Sequence, residues 1–183
     1  TTGTASALTL DMTDYTSLTL SGTAALELIS TNGFTELATI TGTGTAGLTI
    51  DLDDNPLAYT ITTGSGADTI VADQANTGTG GRTVDMGAGN DTVTVGAATN
   101  LTAADSIVGG DGKDTIVVTD VAINAAIQTA IAEATGFEVL GTSATAEKTI
   151  DFSVLTVFEE VAITAAGSAT AATTGTNAAA GTD

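Results

Sequence analysis

The sequence predicts an all-β protein, a right-handed parallel β-solenoid with one short helix. Three glycine–aspartate turns recur at a constant interval of 23 residues, which indicates coils of equal length stacked on one another. Short segments of alternating apolar and polar residues recur about every ten residues, a pattern typical of a solenoid or a sandwich. An aromatic residue followed three positions later by an aliphatic one also recurs, at intervals of one coil.

Residues 1–62 are predicted to form N-terminal coils of the solenoid. Aliphatic residues two positions apart give each strand one apolar face, and threonine occupies the other face. Regular Thr-x-Thr arrays could order water and bind ice, but in sequence the threonines fall at shifting positions between coils, so we do not expect an ice-binding face. The predicted strands are Leu8–Leu10, Leu18–Leu20, Leu26–Leu28, Leu37–Ile40, Leu48–Ile50 and Tyr59–Ile61.

Residues 63–118 contain the three glycine–aspartate turns, whose aspartates should form a column. Three carboxylates a few ångströms apart repel one another unless a cation lies between them, and calcium prefers hard oxygen ligands. Glycine permits the backbone angles that direct carbonyl oxygens inward, whereas Asn90 and Asp111 could equally add a ligand or face water. The candidate calcium-site residues are Gly64, Gly66, Asp68, Gly87, Gly89, Asn90, Asp91, Gly110, Asp111, Gly112 and Asp114.

Two departures from the turn pattern lead to further expectations. Thr63 and Met86 replace the first glycine of the motif, so we expect those turns to lose a backbone angle or a close approach of a carbonyl. Thr41–Ala46 aligns with the first turn at a step of 22 residues, with Ala46 in the place of the aspartate. The column should therefore end near Asp68.

We assign no binding site to the other acidic and glycine-rich segments. Asp73, Asp85 and Asp105 lie between the motifs and are expected at the solvated surface, although they could complete an outer site. Asp51–Pro56 opens like an EF-hand loop but lacks the later glycine and glutamate, which leaves only loose calcium binding by Asp53 and Asp54 as a possibility. Gly42–Gly47 matches a dinucleotide fingerprint, yet a strand pattern follows it, so the match is accidental.

Residues 119–135 are predicted to form the helix. Isoleucines four positions apart give it an apolar stripe that should pack on the strands, and alanine favours a helix intrinsically. Residues 136–164 should return to β coils, and residues 165–183 should be a linker or the start of another region. The stripe is Ile123, Ile127 and Ile131, with Thr119 or Asp120 as N-cap and Gly136 at the end.

The composition excludes several classes of function. A formal net charge of −19, with 22 acidic and 3 basic residues, leaves no electrostatic basis for binding nucleic acid or an anionic membrane. No apolar run approaches the length of a membrane span, so direct membrane insertion is not expected. Without cysteine or histidine, no Cys/His nucleophilic pair can form, and we expect a non-enzyme with no catalytic residues.

The third turn carries a resemblance to a known family. Gly109–Val117 fits the G-G-x-G-x-D-x-U-x nonapeptide, the calcium-binding repeat of RTX proteins. With the Gly136–Leu140 step and the Ala/Thr/Gly-rich composition, the chain resembles a bacterial surface-layer protein of the RTX, type I secreted kind. Tandem nonapeptides advance by nine residues and place sites on both sides of a roll, whereas the step of 23 here predicts one column.

The resemblance implies an RTX-like β-roll that is exported unfolded and folds with calcium outside the cell. It also implies self-association into a lattice at the bacterial cell surface. Adhesins, toxins, proteases and lipases share the motif, so an adhesin stalk or the accessory calcium roll of a secreted protease or lipase remains an alternative. We further expect the chain to be a fragment of a longer protein.

Overall fold

The computed structural model describes nine ranges of the chain, and every structural statement below concerns these residues. Within them the polypeptide forms a β-solenoid with a single short helix, which confirms the predicted fold class. Two large parallel sheets enclose one apolar core, and the path of the chain alternates between them. The described ranges are 6–10, 14–30, 36–52, 58–73, 80–119, 122–123, 125–143, 149–150 and 158–164.

The strands, numbered in chain order, form an eight-stranded sheet, a six-stranded sheet and a separate pair. The eight-stranded sheet contains, in spatial order, β1 (Ser6–Leu10), β3 (Leu26–Ser30), β5 (Leu48–Asp51), β7 (Thr69–Val71), β9 (Thr92–Thr94), β11 (Thr115–Val118), β14 (Val139–Ser143) and β16 (Glu160–Thr164). The six-stranded sheet contains β13 (Ala134–Thr135), β10 (Ser106–Val108), β8 (Thr83–Asp85), β6 (Thr60–Thr62), β4 (Thr39–Gly42) and β2 (Ser17–Leu20). The pair is β12 (Ala122–Ile123) with β15 (Thr149–Ile150).

The core consists of aliphatic side chains stacked from coil to coil. Successive side chains of a strand point to opposite faces, so an in-register parallel stack places every inward residue above another inward residue. Strands on both sides of residue 62 pair directly, which joins the N-terminal coils to the turn-bearing coils in the same two sheets. One inward row of the eight-stranded sheet is Leu28, Ile50, Ile70, Val93, Ile116 and Leu140.

The helix is shorter than the sequence predicts. Helix α1 spans Ala125–Ile131, while Ala122–Ile123 forms strand β12, because its backbone groups pair with β15. Of the predicted stripe, Ile131 is buried and Ile127 packs against the core. No helix among the described residues has the length and apolar character that crossing a membrane requires.

The predicted ends of the helix also differ from the structure. After α1 the chain forms β13, which pairs with β10. Gly136, with φ of +71°, therefore does not end the helix but lies between β13 and β14. Of the two proposed N-caps, Asp120 lies outside the described residues, and Thr119 lies too far before α1 to cap it.

The aromatic repeat does not occupy one position in the coil. Phe137 and Phe158 precede the adjacent strands β14 and β16, and both pack in or against the core. Tyr15 precedes β2 in the other sheet and is 60% exposed. Phe34 lies outside the described residues. What the copies share is the aliphatic residue three positions later, which packs in or against the core each time, at Leu18, Leu37, Leu140 and Val161.

A core truncation tests the stacked register. Ile61 is fully buried on β6, whereas its neighbour Thr62 faces outward. Ile61→Ala should lower the unfolding free energy by about 2–5 kcal/mol, because it leaves a cavity between coils. Thr62→Ala should change it by less than about 1 kcal/mol. Guanidinium unfolding followed by circular dichroism measures both, and equal losses would contradict the assigned faces.

Candidate metal site

The aspartates of the three turns lie in register at the starts of adjacent strands. Thr69, Thr92 and Thr115 pair with one another, so the residues before them also align. Oδ1 of Asp91 accepts the backbone N–H of Asp68 at 2.7 Å, and Oδ1 of Asp114 accepts the N–H of Asp91 at 2.8 Å. Each carboxylate thus bonds the coil before its own. We refer to Asp68, Asp91 and Asp114 as the aspartate column.

The acidic row continues beyond the third turn, which sequence reasoning missed. Oε2 of Glu138 accepts the backbone N–H of Asp114 at 2.8 Å, as an aspartate does in the coils before it. Since Val139 pairs with Glu160, the preceding Glu138 and Glu159 also align. Glu138 is half-buried and Glu159 is exposed. The sequence does contain a signal for this extension, because Gly136 and Glu138 repeat the glycine-x-acid spacing that ends the turn motif.

At its other end the column stops at Asp68, but for a different reason than the sequence suggests. Thr49 pairs with Thr69, so Leu48 and not Ala46 lies beside Asp68. The N–H of Leu48 donates to Oδ1 of Asp68 at 2.7 Å. The predicted step of 22 residues fails because β4 pairs with β6 at a step of 21, and the turn before β5 is one residue longer than the next, so β5 pairs with β7 at a step of 20. A cavity of about 40 Å³ adjoins this end and is lined in part by Ala46, Leu48 and Asp68.

The three aspartates of the column are buried, with exposed fractions of 2% for Asp68, 1% for Asp91 and 0% for Asp114. One oxygen of each, Oδ2, is buried and has no hydrogen-bond partner among the described residues. Burial raises the pKa of all three carboxyls, and the charges of Asp68 and Asp114 help to raise the pKa of Asp91 to about 6. Buried charges with an unsatisfied oxygen destabilise a fold unless an opposite charge compensates them.

The second and third turns share one backbone conformation. Gly87 and Gly110 have φ of +79° and +104°, and Gly89 and Gly112 have φ of +148° and +146°. A Cβ on Gly110 would lie 2.0 Å from the carbonyl oxygen of Gly87. Both the backbone angle and the close approach of neighbouring coils therefore require glycine here.

The first turn differs from the other two. Gly64 and Gly66 do not have left-handed φ values, although a Cβ on either would contact the backbone of the preceding coil. The expected loss of a backbone angle at Thr63 and Met86 is not seen, because Gly109 at the same position is not left-handed either. Instead, the hydroxyl of Thr63 donates to the carbonyl of Met86 at 2.6 Å.

The two polar residues in the variable positions of the motif are exposed. Oδ1 of Asn90 accepts the backbone N–H of Lys113 at 3.1 Å, which links the second turn to the third. Asp111 bonds the second turn through its backbone, with its N–H donating to the carbonyl of Gly87 at 2.9 Å. Both side chains are therefore exposed to solvent, whereas the aspartates of the column are buried.

Asp105 is not at the solvated surface, so that expectation was wrong. It is 7% exposed, and its Oδ2 lies 2.9 Å from a guanidinium nitrogen of Arg82, which is 1% exposed. Burial opposes ionisation of Asp105, but the hydrogen bonds and charge of Arg82 outweigh it and lower the pKa to about 2. Arg82 also donates to the carbonyl of Ala72 at 3.1 Å. The pair joins two coils. Arg82 and Asp105 are 23 residues apart, which is one coil, and this spacing is the sequence signal that could have predicted the pair.

The remaining acidic candidates do not join the column. Asp85 is exposed and accepts the N–H of Gly87 at 3.1 Å. Asp73 is half-buried, and one of its oxygens has no hydrogen-bond partner within the described ranges. Asp53 and Asp54 lie outside the described residues. Gly42–Gly47 is followed by strand β5 and not by a helix, which agrees with the interpretation that its match to a dinucleotide fingerprint is accidental.

Across the described ranges, no three acidic, histidine or cysteine side chains converge into a metal cluster. The column carboxylates are instead distributed one per coil, so a cation there would need backbone carbonyls as well. Comparisons with protein-family models, curated proteins and solved structures give no match to this chain. The resemblance to RTX proteins therefore rests on the turn motif, the Gly136–Leu140 step and the composition of the sequence.

The Arg82–Asp105 pair predicts a specific dependence of stability on pH. The folded pKa of Asp105 lies below its usual value of 3.8, so the stability that its charge contributes is complete above about pH 4 and is lost as the pH falls toward about 2. Asp105→Asn should cost about 3–5 kcal/mol at neutral pH, because Arg82 stays buried without a counter-charge. Urea unfolding from pH 7 to 2 should show this difference shrinking below pH 4. A constant difference would contradict the assignment.

Proposed function

We propose that this chain is a structural module of a bacterial surface-layer protein that folds and assembles outside the cell with calcium. The observation that supports this most is the aspartate column. Each of its members is buried, already uses one oxygen to bond the neighbouring coil, and keeps a second oxygen that has no partner in the described part of the chain. Such a set of atoms suits a hard divalent cation better than any other common ligand.

The residues of the turns would hold calcium between neighbouring coils. Calcium takes about 6–8 oxygen ligands and accepts carboxylates and backbone carbonyls together in flexible geometry. Carboxylates of adjacent column members could share an ion, and carbonyls of the glycine turns could complete its shell. Bound calcium would place positive charge beside Asp91, whose pKa is raised by burial and by the charges of its two neighbours.

Calcium of this kind acts as a folding switch. Ligands that bind only the folded state stabilise it, and the column exists only when the coils are stacked. In a compartment low in calcium, the chain carries 22 acidic residues against 3 basic ones and repels itself, which suits export as an unfolded polypeptide. Outside the cell, calcium would favour both folding and the approach of acidic faces in a lattice.

Calcium-dependent stability is the direct test of the column. Calcium should raise the melting temperature of the parent protein relative to chelator, with a stabilisation of about 2.7 kcal/mol when calcium is 100 times its Kd. Asp91→Asn keeps an oxygen that can accept the N–H of Asp68 but removes the charge. The variant should therefore be at least as stable as the parent in chelator, yet lose most of the calcium response.

Glu133→Gln is the matched control, because it removes the same charge from an exposed residue just after helix α1. Differential scanning fluorimetry with calcium, magnesium and chelator measures all three proteins. Equal melting temperatures of the parent in calcium and chelator, or a full response in Asp91→Asn, would contradict the calcium site.

Assembly is tested separately from the calcium site. A surface-layer module should form ordered planar sheets when calcium is added, and negative-stain electron microscopy would show them. Discrete rods that bind calcium but do not associate would contradict the lattice while leaving the site intact, and would favour an adhesin stalk or an accessory roll.

A further inference from the structure

The outer surface of the six-stranded sheet carries hydroxyl groups in two rows. Ser17, Thr39, Thr60, Thr83 and Ser106 pair in register across five strands. A second row, two positions along each strand, contains Thr19, Thr41 and Thr62 and continues with Asp85 and Val108. We define the hydroxyl face as Ser17, Thr19, Thr39, Thr41, Thr60, Thr62, Thr83 and Ser106.

The sequence-based expectation that threonines shift between coils is wrong for this face. Thr39 and Thr60 are 21 residues apart, and Thr60 and Thr83 are 23 apart, yet all three share one row. Loops of unequal length take up the difference, so the register of the strands is preserved. The spacing in sequence therefore does not show the array.

The hydroxyl face has a two-dimensional repeat set by the β-sheet itself. Neighbouring strands lie about 4.8 Å apart, and alternate residues of one strand lie about 6.6 Å apart. These distances are close to the spacings between water oxygens on surfaces of hexagonal ice. Each threonine presents a hydroxyl that can bond water and a methyl group that water must surround.

Charge distinguishes this face from the rest of the molecule. The chain carries a net charge of −19, yet the two rows hold only one charged residue across their five strands, the exposed Asp85, which pairs with Thr62 in the second row. A neutral surface that donates and accepts hydrogen bonds complements a neutral partner of the same kind, such as ordered water. It does not complement an ionic partner.

The outer surface of the eight-stranded sheet provides an internal comparison. It has one row of four threonines, at 49, 69, 92 and 115. Its second row contains Asp51, Val71, Thr94 and Val117. Only one row of this surface is hydroxylated through consecutive coils, so the two-row array is a property of the six-stranded sheet.

The hydroxyl face is held rigidly and is free to bind. The residues between its rows point inward, and Ile40 and Ile61 are almost completely buried. The hydroxyls of Thr39, Thr60 and Thr62 make no hydrogen bond to other described residues. Side chains that are already held in place by a packed core lose little conformational entropy when they bind.

We infer that the hydroxyl face binds ice. The rows hold water at positions that match the crystal, and adsorption of the protein then opposes further growth of the surface. This activity does not use the aspartate column, which lies on the eight-stranded sheet, so it goes beyond the calcium-dependent role proposed above.

Thermal hysteresis in a nanolitre osmometer tests the inference on the full chain with calcium present. The parent should separate freezing from melting and shape ice crystals. Thr60→Tyr, at the centre of the array, should reduce the hysteresis at least about fivefold, since central contacts dominate such interfaces. Thr83→Tyr, in the same row, should do likewise. Thr94→Tyr, the matched control on the other sheet, should leave it within about twofold of the parent.

Circular dichroism and the calcium-induced melting shift establish that each variant is folded, so failure of the ice activity is distinct from failure of the calcium site. A folded parent without hysteresis would overturn the inference, as would an equal loss in Thr94→Tyr and Thr60→Tyr. A third outcome would also overturn it. If the parent has no ice activity and sediments as a dimer, and Thr60→Tyr sediments as a monomer, the face is a contact between two copies of the chain.

Discussion

The hydrogen bond from a backbone N–H to the carboxylate of the next coil is the interaction on which this solenoid depends. It repeats from Leu48 through Asp68 and Asp91 to Asp114, and Glu138 completes the series. The bond fixes where each strand starts, because it holds the residue before the strand. In the three aspartates of the column the acid is also buried, and its second oxygen has no partner among the described residues. One interaction therefore gives the coils their alignment and leaves them with charge to compensate.

Local and periodic signals in the sequence predicted a large part of this arrangement. The alternation of aliphatic residues with threonine predicted the strands, and the 23-residue interval predicted that the three aspartates align. The Ala46 alignment assumed a step of 22 residues, but the strands before the turn pair at a step of 21, and the turn before Leu48 holds one residue more than the next, which gives a step of 20. The threonine rows were missed for the same reason, since unequal loops hide an exact register.

Two other differences come from partners distant in sequence. The helix prediction counted the intrinsic preference of alanine and the isoleucine spacing, but Ala122–Ile123 pairs with β15 instead, and tertiary pairing overrides such preferences. Asp105 was placed at the surface because isolated charges are rarely buried. Its partner Arg82 lies one coil earlier, and together the two satisfy the backbone of that corner.

The two surfaces of interest are coupled through the register of the coil. A slip of one residue in the pairing of a strand would exchange its inward and outward side chains. Such a slip would bring Ile61 to the surface and carry Thr60 and Thr62 into the core. The aspartate column opposes this, because each carboxylate fixes the start of a strand in the eight-stranded sheet, and the chain continues from there into the six-stranded sheet. Compensating the charge of the column thus stabilises the alignment on which the hydroxyl face depends, although the two lie on different sheets.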